Sequence, residues 1–367
     1  MTGTDTIDKY LAACLRTAEE KGASDLHVKV GSPPRLRVNG ELLSISQPSL
    51  TSEDTMRMAR STMKQSEWDL FESNWERDYS LDLPGSIARF RVNAYFNRGT
   101  VGMVLRRVNG TPPTFESLHL PTIISNVAAL RNGLFVFAGA TGSGKSTTLA
   151  AVVDIIMKTR KVHVVTIEDP IEFVHADKKA SISQREISSD TKDFATALHS
   201  AMRQDPDIIV IGEMRNGETV RAALSAAETG HLVLSTLHST SSIDAVNRII
   251  DMVPNDDVQQ TRQTMADALR GVVTQKLVEA KEGGCRVPVV EVLMNMEASR
   301  IHDAISDPDK YDLYELMKTS LGRDGIQTFD DHLFELVNRG ILTNEIAQVH
   351  ATNRHDLAVK LRARTRK

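Results

Sequence analysis

Leu134-Phe135-Val136-Phe137-Ala138-Gly139-Ala140-Thr141-Gly142-Ser143-Gly144-Lys145-Ser146 is the stretch of this 367-residue chain that decides its fold class. Its first five residues are apolar and read as a buried strand. The next eight fit the pattern G-x-x-x-x-G-K-[ST], set between that strand and a helix opening near Ser146. Glycines let the backbone curl so that its N–H groups converge on phosphate oxygens, and the helix N-terminus adds partial positive charge. Lys145 is placed to reach the β- and γ-phosphates, and the Ser146 hydroxyl to ligate Mg2+. The pattern therefore points to ATP with Mg2+, held by Gly139, Ala140, Thr141, Gly142, Ser143, Gly144, Lys145, Ser146 and Thr147.

Downstream, further apolar runs at 162–167, 208–211 and 232–236 alternate with helical spacing, as in Phe194, Leu198, Ala201 and Met202, or Val220, Ala223, Leu224 and Ala227. Such alternation predicts an α/β domain whose parallel sheet is buried on both faces, with ligands bound outside the carboxyl ends of its strands. Two of those ends carry acids. Asp207-Ile208-Ile209-Val210-Ile211-Gly212-Glu213 has glycine where a magnesium-binding Asp usually stands, which leaves Glu213 as the candidate to orient and polarise the attacking water. Thr166-Ile167-Glu168-Asp169-Pro170-Ile171-Glu172 supplies a second cluster. Glu168 and Asp169 are candidate metal ligands beside Ser146, and Glu168 is a candidate catalytic acid; read alone, Glu168, Asp169 and Glu172 are more often explained by loop solvation or helix capping. His231 and His238 bracket the run 232–237 and are candidates to report the γ-phosphate by hydrogen bonding, although a single histidine is usually just a satisfied polar group.

Upstream the pattern differs. Ile7, Tyr10, Leu11, Cys14, Leu15 and Ala18 fall on one helical face before Gly22. Leu26, Val28 and Val30 alternate with polar residues, and Asn39-Gly40 joins two short runs as a hairpin. A second strand pair is centred on Asn97-Arg98-Gly99, with Phe90, Val92, Ala94 and Phe96 on one face and Arg89, Arg91, Asn93 and Tyr95 on the other. Residues 1–108 thus read as a small α+β domain, residues 109–114 (Asn109-Gly110-Thr111-Pro112-Pro113 and Thr114) as a linker, and residues 115–367 as the α/β domain with a helical, finally basic, C-terminal region. Arg89, Arg91 and Arg106, all on predicted strands, are candidates to stabilise phosphate charge across a subunit interface, against the plain reading of a solvated face.

Lys plus Arg total 44 and Asp plus Glu 48, a net charge of −4. With 41% hydrophobic residues and only Cys14 and Cys285, the composition excludes global disorder and a disulfide scaffold. No apolar run approaches the roughly 18 residues needed to cross a bilayer, and 1–8 lack a basic leader, so a cytoplasmic location is expected. Aromatics at 5% and a slight acidity argue against nucleic acid as a partner, the main competing reading of such a core being a nucleic-acid translocase.

Taken in order, these motifs resemble the secretion ATPases, specifically the PilT/PilU type of pilus retraction ATPase. The resemblance rests on Gly22-Ala23-Ser24-Asp25-Leu26-His27, Pro33-Pro34-Arg35, Arg89-Phe90-Arg91-Val92-Asn93, the acidic stretch 166–172, Gly212-Glu213-Met214-Arg215, Thr229-Gly230-His231, Thr236-Leu237-His238-Ser239 and Gly325-Ile326-Gln327-Thr328-Phe329-Asp330. It implies a PAS-like first domain, a RecA-like second domain and a homohexameric ring with nucleotide between the two domains. It further implies a cytoplasmic motor, peripheral to the inner membrane, that acts on a platform protein to retract a type IV pilus. Extra N-terminal domains and the four-cysteine zinc site of assembly ATPases are not in this sequence, which favours retraction. Ala298-Ser299-Arg300-Ile301-His302-Asp303-Ala304-Ile305 departs from the A-I-R-N-L-I-R-E helix of typical retraction motors, so an accessory, PilU-like partner of a paralogous ATPase is the alternative.

Overall fold

The computed structural model describes residues 7–45, 48–83, 88–108, 112–295, 300–319 and 325–364. Residues 109–111 of the expected linker, and Ala298 and Ser299 of the divergent motif, lie outside the described residues. Two compact units are present: 1–111 with Glu172–Val174, and Pro112–Ile171 with His175–Lys367.

In the first unit, α1 (Lys9–Glu20) begins where the Asp8 carboxylate accepts the N–H groups of Tyr10 and Leu11. Its buried stripe is Leu11, Cys14, Leu15 and Ala18, and Gly22, at φ 62°, ends it. Strands β1 (Asp25–Val28), β2 (Arg35–Val38) and β3 (Glu41–Ser44) are followed by α2 (Ser52–Thr62), α3 (Gln65–Asn74), β4 (Glu76–Asp82), β5 (Arg89–Asn97) and β6 (Thr100–Val108). The sheet is antiparallel, in the order β3-β2-β1-β6-β5-β4. Both hairpin turns fall where the sequence places them. Asn39 and Gly40 (φ 50° and 87°) and Arg98 and Gly99 (φ 52° and 76°) supply the paired positive φ values that match the twist of the flanking strands. Leu26, Val28, Phe90, Val92, Ala94 and Leu105 face the core, which leaves the arginine-bearing face outward. Phe96, expected in the core row, is half-buried and stacks on Phe71.

The second unit runs α4 (Thr122–Asn126), β7 (Gly133–Ala138), α5 (Lys145–Thr159), β8 (His163–Glu168), β9 (Ser181–Glu186), α6 (Phe194–Ala201), β10 (Ile208–Ile211), α7 (Gly217–Glu228), β11 (Leu232–Leu237), α8 (Ser242–Asp251), α9 (Val258–Ala268), β12 (Leu269–Glu279) and β13 (Arg286–Met294). Five helices close it: α10 (Arg300–Ser306), α11 (Leu313–Thr319), α12 (Phe329–Asn338), α13 (Asn344–His350) and α14 (Arg354–Arg364). Its sheet has the order β13-β12-β7-β11-β10-β8-β9, parallel except for β13. Every residue of β7, β10 and β11 is buried, as expected of strands covered on both faces. The α/β class is therefore as the sequence predicts; β13 contains the apolar run 287–290, while β9 and β12 extend the sheet beyond the runs legible in the sequence.

A separate small core joins the far end of that hairpin to the last helices through Val278, Val289, Leu333, Leu336 and Leu357. Fully buried His332 sits beside it, its Nδ1 accepting the Val290 N–H at 3.0 Å. Burial, aided by the charge of Arg339, pushes the imidazole down to about 4. An unfolded histidine near 6.5 binds its proton first, so folding stability is complete above about pH 6.5 and is lost as pH falls toward 4. The full effect is about 3 kcal/mol. Amide-exchange protection of α12 should fall over that window, and His332→Asn, whose Oδ1 can replace Nδ1 as acceptor, should flatten the dependence; an unchanged slope would refute the assignment.

Candidate functional site

The loop after β7 and the first turn of α5 form the site's floor. Gly142 and Gly144 take φ values of 75° and 87°, and Gly144 is the N-cap of α5 without any side-chain cap. The first N–H groups of a helix lack intrahelical acceptors, so this uncapped turn offers donors to a bound anion. Lys145 is 8% exposed, and its Nζ donates to the carbonyls of Gly139 (2.7 Å) and Ala140 (2.9 Å), arched back over the loop. Ser143 Oγ is buried without a hydrogen-bond partner, an orphaned polar atom in a cradle otherwise suited to phosphate oxygens. These observations fit a nucleotide's phosphates. Mg2+ characteristically keeps waters and takes one or two protein ligands with phosphate oxygens, a demand Ser146 in the same turn can meet.

Because β7, β8, β10 and β11 are parallel and in register, their carboxyl ends share one edge of the sheet. Glu168 ends β8, and Glu213 follows β10 by two residues. His238 follows β11, whose Leu237 pairs with Ala138 just before the loop. Gly212 lies in close contact with the end of β8. A Cβ there would lie 3.3 Å from both Glu168 Cα and the Ile167 carbonyl oxygen, so a larger residue would press the ends of β8 and β10 apart by a few tenths of an ångström.

Glu213 is held from two sides. His238 Nε2 lies 3.1 Å from Oε1, and Arg215 Nε donates to Oε2 at 2.7 Å. Arg215 also reaches Asp169 Oδ2 at 3.1 Å, tying together the acids that end β8 and β10. The Glu213 hydrogen bond, with the charges of Glu213 and Asp169, outweighs burial and raises the Arg215 guanidinium above its already high range. Glu168 Oε1 accepts the Thr166 hydroxyl at 2.7 Å and the Gln184 amide at 3.1 Å. Among the described residues no group of three or more His, Cys, Asp and Glu side chains is gathered as a metal cage.

The two histidines do not meet. His231 precedes β11, and its carbonyl accepts the N–H of Gly133, the first residue of β7. A six-residue strand separates that edge from the phosphate loop, about 20 Å at the usual rise. His231 Nδ1 instead lies 3.0 Å from the Ala226 carbonyl and 3.2 Å from Thr229 Oγ1 at the end of α7. The expectation that both histidines reach one γ-phosphate is corrected accordingly: within one chain only His238 stands at the phosphate edge.

In the first unit, Arg91 pairs in register with Arg106, and Arg89 shares their outward face. Arg89 Nη1 bonds Asp82 at 3.0 Å, and Arg106 Nε bonds Asp25 at 2.8 Å. Burial works against the Asp25 carboxylate, but hydrogen bonds from Arg106 and Ser24 outweigh it and hold its pKa below the usual range. Arg91 is exposed and has no ion-pair partner among the described residues.

The profile of the type II/IV secretion system protein family matches residues 1–355. The chain belongs to that family. As a family member it is 40% identical over 348 residues to the type IV pilus ATPase PilU of Pseudomonas aeruginosa, covering 95% of this chain and 90% of the relative. It is also 40% identical over 337 residues to the type IV pilus retraction ATPase PilT of the same organism, covering 92% and 96%. The crystal structure of the pilus retraction motor PilT with bound ADP superposes with a TM-score of 0.84 at 38% identity, covering 94% of this chain and 98% of that one. The Legionella pneumophila ATPase DotB gives 0.80 at 28% identity, covering 95% and 97%. This secretion-family chain is therefore an ATPase by kinship, on the fold its sequence predicts.

Two site residues had no role in the sequence reading. Arg215 was legible only as part of a motif, since its bridge to Asp169 spans 46 positions. Gln275 of β12, 4% exposed, touches the phosphate loop from a strand that no run had marked.

Proposed function

We propose that this chain is the subunit of a homohexameric motor that hydrolyses Mg-ATP to power type IV pilus retraction, working in the cytoplasm against an inner-membrane platform protein. The observation that carries the reading is the convergence of the phosphate loop, Glu213 and His238 on one sheet edge, in a chain alike over nearly its whole length to ATPases named for the type IV pilus. Among the described residues no helix is long and apolar enough to cross a membrane, so attachment to the membrane would come through a partner.

In this reading Lys145 leaves the Gly139 and Ala140 carbonyls for phosphate oxygens, while loop and helix N–H groups fix the remaining oxygens. Glu213, oriented by Arg215 and His238, takes the proton of the attacking water; each of its oxygens retains a lone pair for that task. Mg2+, held by Ser146 with Glu168 or Asp169 through water, would neutralise developing phosphate charge. Arg91, flanked by Arg89 and Arg106, would supply positive charge to a neighbouring subunit's nucleotide.

Equal identity to PilU and PilT favours one second reading, an accessory ATPase that works beside a paralogous motor. Phosphate release measured across protein concentration separates the two. Turnover per chain that rises with concentration supports the self-sufficient ring. Mg-ATP binding without turnover until a second ATPase is added would sink it in favour of the accessory role.

A further inference from the structure

Gln275 lies on β12, beside β7 but more than a hundred residues beyond it in sequence, and its side chain is buried against the phosphate loop. Its Nε2 donates to the Ser143 carbonyl at 2.7 Å, and its Oε1 accepts the Thr148 hydroxyl at 2.8 Å. One amide thus grips both the loop and the first turn of α5. Residue 275 also crowds the two glycines that bracket the motif, both of which take positive φ values. A Cβ on Gly139 would lie 2.4 Å from the Gln275 carbonyl oxygen, and a Cβ on Gly144 would lie 2.7 Å from Gln275 Nε2.

The consequence follows from the planarity of the peptide. In a trans peptide the C=O and the following N–H point in opposite directions. Holding the Ser143 carbonyl toward β12 therefore turns the Gly144 N–H away from β12, leaving it to a phosphate oxygen cradled by the loop. We infer that Gln275 is a positioning residue for the nucleotide: it sets the Ser143–Gly144 peptide so that the loop is built for phosphate before ATP arrives. This rests on the nucleotide-binding reading of the loop. Gln275 touches neither substrate nor the attacking water, so its loss should act on nucleotide affinity far more than on the chemical step.

The test compares wild type with Gln275→Leu, Gln275→Glu, Thr148→Val and the Gln275→Leu/Thr148→Val pair, reading the Kd of a fluorescent ADP analogue together with kcat and KM for Mg-ATP. Gln275→Leu, similar in bulk but without polar atoms, should raise the ADP Kd and the ATP KM about tenfold, with kcat changed less than about threefold. The double variant should lose less than the product of the single losses, because both remove one shared contact. Gln275→Glu keeps the acceptor for Thr148 but sets an ionised oxygen against the Ser143 carbonyl. Its ADP affinity should recover as pH falls from about 8 to about 6 and the buried carboxyl gains a proton to donate, whereas Gln275→Leu should show no such recovery. Nucleotide affinity within twofold of wild type in folded Gln275→Leu, or a pH-independent Gln275→Glu, would overturn the proposal while leaving the nucleotide site standing. Failure of the wild-type chain to bind Mg-ATP would overturn both.

Discussion

Lys145→Ala is expected to abolish ATP turnover and to weaken Mg-ATP binding by about a hundredfold or more. Two losses combine. A buried ammonium donating to phosphate makes charge-assisted hydrogen bonds of about 1.5–3 kcal/mol each, and here it has no aqueous competitor, being only 8% exposed. Without nucleotide the same Nζ satisfies the Gly139 and Ala140 carbonyls, so alanine also leaves the resting loop with acceptors in search of a donor. Lys145→Arg should not restore activity, since a planar guanidinium does not fit the space of a compact ammonium beneath the loop. Fluorescent-nucleotide titration and phosphate release check both statements. Binding by Lys145→Ala within twofold of wild type would remove the lysine from the phosphate site.

How far such a site can be read from sequence depends on the distance over which its contacts act. The strand, loop and helix from Leu134 to Thr159 were legible because the decisive interactions are local: apolar burial, glycine dihedrals and an uncapped helix start. The hairpins at Asn39-Gly40 and Arg98-Gly99 were legible for the same reason. Gln275 was not, because its partners Ser143 and Thr148 lie 132 and 127 positions away, and β12 joins β7 only once the chain has folded back. Arg215 closes a visible motif, yet its value lies in reaching Asp169 just beyond another strand. His231 was misplaced for a different reason. Two histidines flanking a run look symmetrical in a string of letters, but a strand has two ends, and in a parallel sheet only the carboxyl end meets the ligand crevice.

Glu213→Gln is the sharper test of chemistry, because it should separate binding from hydrolysis. The amide matches the carboxylate in shape, and its carbonyl oxygen can still accept from Arg215 or His238, the partners at 2.7 and 3.1 Å. Arg215 also keeps Asp169, so the ends of β8 and β10 stay tied. The substitution removes the capacity to accept a proton from water, the part of the site that acts only as the reaction proceeds. Positioned general bases contribute about 10²–10⁴-fold, and turnover should fall by that factor while the Kd for Mg-ATP stays within a few-fold of wild type. Thermal stability should change little, since the isosteric amide can still accept from one partner and Arg215, more than half exposed, keeps Asp169. The variant should accumulate with uncleaved ATP bound, visible as triphosphate recovered from protein after gel filtration. Wild-type turnover in Glu213→Gln would transfer the base to Glu168, the other candidate base read from the sequence, and Glu168→Gln would then have to show the loss that Glu213→Gln did not.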